Sequence, residues 1–244
     1  MQAGRAVGAI KSVKATARRK RTRRPYLWAS ERMVRGMGYT VVAGLDEVGL
    51  GPLAGPAVAA ACVLPIGARL PGLDDSKKLT ADQRRRLDRQ IRRVAVAFAV
   101  AEVPAQDVDR KGLTYARQRA MEMAVRALSP EAQYLLIDAW DVPDLPLPQM
   151  AVIRGDGVCA SIMAASIIAK VHRDTLMIEY DAVYPGYGFA LHKGYATAAH
   201  RAALMRLGPS PIHRMSWRPV RKALGLAGGV DPAAELPAGV PVDA

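Results

Sequence analysis

Two adjacent carboxylates, Asp46 and Glu47, close an apolar run at 39–45, and Gly49, Gly51, Gly55, Pro52 and Pro56 follow within nine positions. A second apolar run then spans 57–64. The pattern predicts strand, turn, strand, with a pair of acids at the seam. Glycines spaced in this way let a ligand approach the peptide N–H groups, because no side chain stands off the backbone. Successive strand residues face opposite sides, so both acids reach one site only if the strand ends or bulges there.

The rest of the chain supplies a sheet around that unit. Ser30 stands as an N-cap before a short helix at 31–37 that Gly38 stops. A Pro/Gly/Asp turn at 70–75 precedes a helix start at Thr80, with Gln83 three residues on, which runs to Arg93. Valine-rich 94–103 predicts a third strand. A break at 109–112 leads to a helix over 114–128, ended by Ser129 and Pro130. Short strands at 134–137 and 150–153 end in Asp138 and in Gly155-Asp156. An Ala/Ile/Met-rich helix over 158–184 suits close packing on a sheet. Three consecutive strands followed by alternating helix and strand predict an α/β fold, a mixed sheet with helices on its faces.

The formal charge of +13 is unevenly placed. Residues 1–24 hold nine basic and no acidic residues, leaving 26 basic against 22 acidic residues in the remainder, a surplus of four. The division expected is a disordered basic arm at 1–25, one domain over 26–222 and a disordered tail over 223–244. Such an arm meets polyanions by counterion release and points to nucleic acid without conferring specificity. Cys62 and Cys159 lie in Ala- and Val-rich surroundings, which fits buried thiols in a reducing cytoplasm. No stretch of eighteen apolar residues predicts a membrane span, and nothing argues against a monomer.

Asp46, Glu47, Asp138 and Asp156 all stand at predicted strand ends. One acid in such a place is usually a turn former or an ion-pair partner. Several brought together repel unless cations hold them, and hard Mg²⁺ or Mn²⁺ suits an oxygen-only donor set. Two such ions, roughly 3.5–4 Å apart, serve phosphodiester hydrolysis without a protein nucleophile. Gly49, Gly51 and Gly55 do not make a dinucleotide fingerprint, because a second strand follows where a helix should start. Ser166 and Cys159 lack a nucleophile's glycine elbow. Lys77 and Lys78 precede a helix, either as a solvated start or as phosphate contacts. Tyr195, in His192-Lys193-Gly194-Tyr195, offers a ring to a sugar or base or simply packs. His213 and Arg214 read as polar surface or as phosphate contacts.

The segments at 43–56, 75–79, 135–138, 155–156, 164–171, 173–174, 192–197 and 211–214 together resemble bacterial ribonuclease HII, the type 2 ribonuclease H family, in order and spacing. The resemblance implies a ribonuclease H-like mixed sheet flanked by helices, with a C-terminal helical extension. It implies metal-dependent cleavage of RNA in RNA–DNA hybrids and at ribonucleotides embedded in duplex DNA, leaving 3′-hydroxyl and 5′-phosphate ends. The family's four-carboxylate metal site falls on Asp46, Glu47, Asp138 and Asp156. Its sugar-packing tyrosine falls on Tyr195, and its Gly-Arg-Gly on Gly49-Leu50-Gly51. Leu50 replaces that arginine, and Ala139-Trp140 follows Asp138 where glycine is common. A catalytically weakened nucleic-acid-binding protein of the same fold is the rival expectation, motivated by Leu50.

Overall fold

A computed structural model describes residues 27–230. The basic arm and most of the tail therefore lie outside the described residues. Helix α1 (Ala29–Gly36) leads into β1 (Val42–Val48) and β2 (Ala57–Val63). A 3-10 turn (Ser76–Lys78), α2 (Ala81–Val94), β3 (Ala97–Val103) and α3 (Ala105–Arg126) follow. Then come β4 (Tyr134–Asp138), β5 (Gln149–Val152), α4 (Gly155–Val158), α5 (Ala160–Val183), α6 (Phe189–His192), α7 (Ala198–Leu207) and α8 (Arg218–Ala223). Among the described residues no helix is long and apolar enough to cross a membrane.

The five strands form one mixed sheet in the order β3-β2-β1-β4-β5. β1 pairs antiparallel with β2 across a short turn, and β2 antiparallel with β3 after a longer link that holds α2, while β4 and β5 run parallel to β1. The parallel step from the hairpin to β4 needs a long crossover, which α3 supplies. Every residue of β2 is buried, as a central strand covered on both faces requires. Ala59 and Ala61 pack into the cluster that holds α3, whereas Val58, Ala60 and Cys62 pack with α5 and α2. Their small side chains bring both helices close to the sheet. At Gly44 the approach is closest: a Cβ there would stand 2.2 Å from the Ser161 carbonyl carbon of α5.

Several elements differ from expectation for local reasons. Ser30 is not an N-cap, because α1 already starts at Ala29 and its capping position, Trp28, makes no side-chain cap bond. Glu31 turns inward instead, accepting from the Ser161 N–H and hydroxyl, both at 2.9 Å, and so ties α1 to the first turn of α5. The third strand begins at Ala97, since α2 continues through Val94. The break expected at 109–112 narrows to Gly112, at φ 85°, with helix on both sides of it. Both cysteines are buried free thiols, as expected.

The start of α2 is as the sequence predicts. Thr80 accepts from the Gln83 N–H, and the Gln83 side chain accepts from the Thr80 N–H, a reciprocal capping box. Thr80→Ala is expected to destabilise the fold by about 1 kcal/mol. Urea unfolding measures it, and an unchanged midpoint at unchanged slope would show that the box contributes nothing.

Candidate metal and nucleic-acid site

Pairing between β1 and β4 runs from Val42↔Tyr134 to Leu45↔Ile137 and stops, while pairing with β2 continues to Val48↔Val58. Beyond Leu45, β1 has thus lost its parallel neighbour. The strand neither ends nor bulges at the acids, contrary to the condition read from the sequence. Alternation is kept: Asp46 lies opposite Ala60 on the α5 face, and Glu47 opposite Ala59 on the α3 face. The open edge still lets both line one cleft of about 1680 Å³, with Asp138 and Asp156. Asp138 ends β4, as predicted. Asp156 does not end a strand: β5 stops at Val152, Arg154 turns the chain at φ 55°, and Asp156 sits in the first turn of α4.

The acids feel one another. Burial raises Asp46 well above the usual carboxylate range, and the charges of Glu47, Asp138 and Asp156 raise it further, against a hydrogen bond from Ser166. Burial pushes Glu47 up to about 7 against the opposing pull of Arg117. Burial and then Asp156 raise Asp138. Each of three acids has one oxygen engaged: Asp46 accepts from the Glu47 N–H at 2.8 Å, Asp138 from the Gly155 N–H at 2.7 Å, and Asp156 meets Lys77 Nζ at 3.1 Å. Among the described residues, no group of three or more His, Cys, Asp or Glu side chains is arranged to hold a metal ion as it stands. The donor chemistry nevertheless fits a hard cation, with four repelling carboxylates, oxygen ligands only, and a lysine ammonium already drawn to one of them. Lys78 lies beside Asp75 and Asp74 at 3.6 and 3.9 Å, on the rim of the same cleft.

Behind the glycine turn stand two arginines whose structural role sequence reading missed. Arg214, read as polar surface or phosphate contact, is fully buried, and its guanidinium donates to the carbonyls of Gly49, Leu50 and Gly55. Arg173 donates to Pro56 O, Ala54 O and Lys193 O at 3.0–3.1 Å. Six backbone carbonyls are thereby engaged by buried guanidiniums. Burial depresses both guanidiniums, Arg214 to about 9. The one forewarning was an arginine just beyond the apolar first half of α5. Leu50 is 4% exposed and belongs to the apolar cluster on the α3 side, so its side chain anchors the turn from below.

Tyr195 lines the cleft half-buried, its ring centre 5.7 Å from Lys170 Nζ and 5.8 Å from the Arg173 guanidinium carbon. A chain of histidines holds its backbone. His200 Nδ1 lies 2.8 Å from Tyr195 O, His200 Nε2 3.0 Å from His213 Nε2, and His213 Nδ1 2.9 Å from the Ser210 N. Because a carbonyl only accepts, His200 carries its proton on Nδ1, and His213 therefore carries its own on Nε2. Both rings are neutral in this chain, and burial depresses each to about 4. The unfolded chain, near 6.5, takes up protons that these rings refuse, so their contribution to stability is present above pH 6.5 and lost as pH falls toward 4. The loss approaches about 3 kcal/mol per ring. Histidine ring NMR is expected to show opposite tautomers for the two residues and no titration of either above about pH 5. A midpoint near 6.5 for either ring would break the chain.

The chain matches the family model for ribonuclease HII over residues 43–220. The ribonuclease HII of Anaeromyxobacter sp. (strain Fw109-5) is 53% identical over 190 residues, 78% of this chain and 60% of that protein. That of Geobacter sulfurreducens is 50% identical over 201 residues, 82% of this chain and 93% of its own length. The crystal structure of the ribonuclease H2 from Pyrococcus horikoshii OT3 superposes with a TM-score of 0.65 at 26% identity, over 75% of this chain and 97% of that one.

Proposed function

This chain belongs to the ribonuclease HII family, and from that premise we propose that it is a metal-dependent endoribonuclease acting as a monomer on RNA–DNA hybrids and on duplex DNA carrying single ribonucleotides. The observation that carries the reading is the gathering of Asp46, Glu47, Asp138 and Asp156, from two strands and a helix, on one cleft wall. These four acids would hold Mg²⁺ or Mn²⁺. When bound, such ions activate water and offset the charge that builds on the phosphate.

Hydrolysis adds water across the P–O3′ bond, leaving a 5′-phosphate on one fragment and a 3′-hydroxyl on the other. The chain's own part is positioning. Gly49, Leu50 and Gly51 present backbone N–H groups to the ribose 2′-hydroxyl, a reading supported by Arg214, which occupies the carbonyls of Gly49 and Leu50. Tyr195 packs against the neighbouring sugar, and Lys78 with Lys77 meets the phosphate backbone at the cleft rim.

The test is incubation of the purified protein and Mg²⁺ or Mn²⁺ with a DNA duplex containing one ribonucleotide. A nick at that ribonucleotide with a 3′-hydroxyl end is the expected product. Binding without a nick at every metal concentration sinks the enzyme reading and leaves the weakened binding protein in its place.

A further inference from the structure

Trp140 is a large aromatic side chain of the cleft to which the function proposed above gives no role. It follows Asp138 by two residues, is 38% exposed, and lines the same cleft as the four acids. Its placement is built. Ala139 adopts φ 61°, a left-handed conformation that costs a residue with a Cβ roughly 1 kcal/mol. The Ala139 N–H donates to Val152 O at 3.2 Å and the Trp140 N–H to Asp138 O at 2.8 Å, so the turn is held to β5 and to the end of β4.

One face of the indole is backed by Arg117 of α3, whose guanidinium carbon lies 5.4 Å from the ring centre. Arg117 is 6% exposed, and its Nη1 has no hydrogen-bond partner. The same guanidinium acts on the Glu47 carboxyl. Trp140 is therefore tied to the acid site through a buried cation on the α3 side of the sheet. Tyr195 stands against Lys170 and Arg173 of α5 and lines the same cleft. Trp140 and Tyr195 thus both line the cleft of the four acids, each with cations of a different helix beside its ring.

We propose that Trp140, backed by Arg117, is a second stacking shelf, which takes the sugar face of the nucleotide on the opposite side of the cleaved phosphate from the one that Tyr195 contacts. This rests on the function proposed above. A cation behind the ring leaves its exposed face for the substrate, and an aromatic platform accepts any nucleotide, because every sugar and base presents an apolar face. Trp140 would then contribute affinity and register without touching the reacting atoms.

Iodide quenching reads this directly. Of the three tryptophans, Trp28 and Trp217 are 8% and 2% exposed, so the iodide-accessible emission comes from Trp140. With metal chelated, saturating single-ribonucleotide duplex is expected to remove most of that quenching. Trp140→Ala is expected to raise the duplex dissociation constant about tenfold, with Trp140→Phe recovering most of it, while kcat stays within about threefold. A merely structural tryptophan would lower the unfolding midpoint and leave affinity alone. Undiminished quenching in the saturated wild-type complex, or affinity of the Trp140→Ala protein within twofold of wild type, overturns the shelf. A wild-type protein that nicks the duplex while Trp140 stays accessible overturns the shelf alone. One that shields Trp140 without nicking overturns the enzymatic reading alone.

Discussion

Asp46→Asn is expected to lower turnover on a ribonucleotide-containing duplex at least about a thousandfold, by removing a proposed metal-ligand charge from the acid cluster. The same change is expected to stabilise the metal-free protein. Burial and three like-charged neighbours hold the Asp46 carboxyl well above its ordinary range, which means that its charged form is disfavoured in the fold. An amide of the same shape removes that repulsion and keeps the oxygen that accepts from the Glu47 N–H. A gain of about 1–2 kcal/mol in urea unfolding without metal follows, since a disfavoured carboxylate gives way to an amide of the same shape. Mn²⁺ should then raise the unfolding midpoint of the wild type more than that of the variant. Activity within tenfold of wild type would remove Asp46 from the machinery. A lowered midpoint without metal would make it an ordinary structural acid.

That opposition of stability and activity explains why part of the site was legible in the sequence. Two acids that interrupt an apolar strand make no sense for packing, and Asp46, Glu47 and Asp138 stood out for that reason. The elements with a strong local signature were equally readable: alanine-rich β2, the capping box at Thr80 and Gln83, and the long apolar pattern of α5. What could not be read depends on contacts distant in the chain. Asp156 was placed at a strand end because the left-handed turn at Arg154 leaves no mark in its residue type. Both acids of β1 reach the cleft because β4 stops pairing at Leu45, a matter of register between strands about ninety residues apart. Arg214 read as polar surface or phosphate contact, and Arg173 drew no structural role, because composition says nothing of the carbonyls that they bind. Strand-end position alone had already grouped the four acids, and family resemblance added what local pattern could not, above all the expected roles of Tyr195 and of the glycine turn.

Gly49→Ala is expected to reduce ribonucleotide-specific cleavage at least about a hundredfold, and its cause separates into two parts. Gly49 sits at φ 89°, where a side chain costs about 1–2 kcal/mol on conformation alone. Beyond that, a Cβ would stand 2.2 Å from Arg173 Nε, 2.6 Å from Arg173 Cδ and 2.6 Å from Pro56 O. The arginine is not a flexible end that can swing aside. It is fully buried and fixed by bonds to Pro56, Ala54 and Lys193. Moving it disturbs the glycine turn and the Tyr195 loop together, which are the two surfaces proposed to hold the ribonucleotide. Gly67→Ala supplies the control, because Gly67 has φ 75° and open space where the Cβ would stand. The control is expected to lose stability by the conformational cost and to keep its activity per folded molecule. Equal kcat/KM for the two alanine variants, after correction for folded fraction, would show that Arg173 yields freely and that the turn does not depend on it.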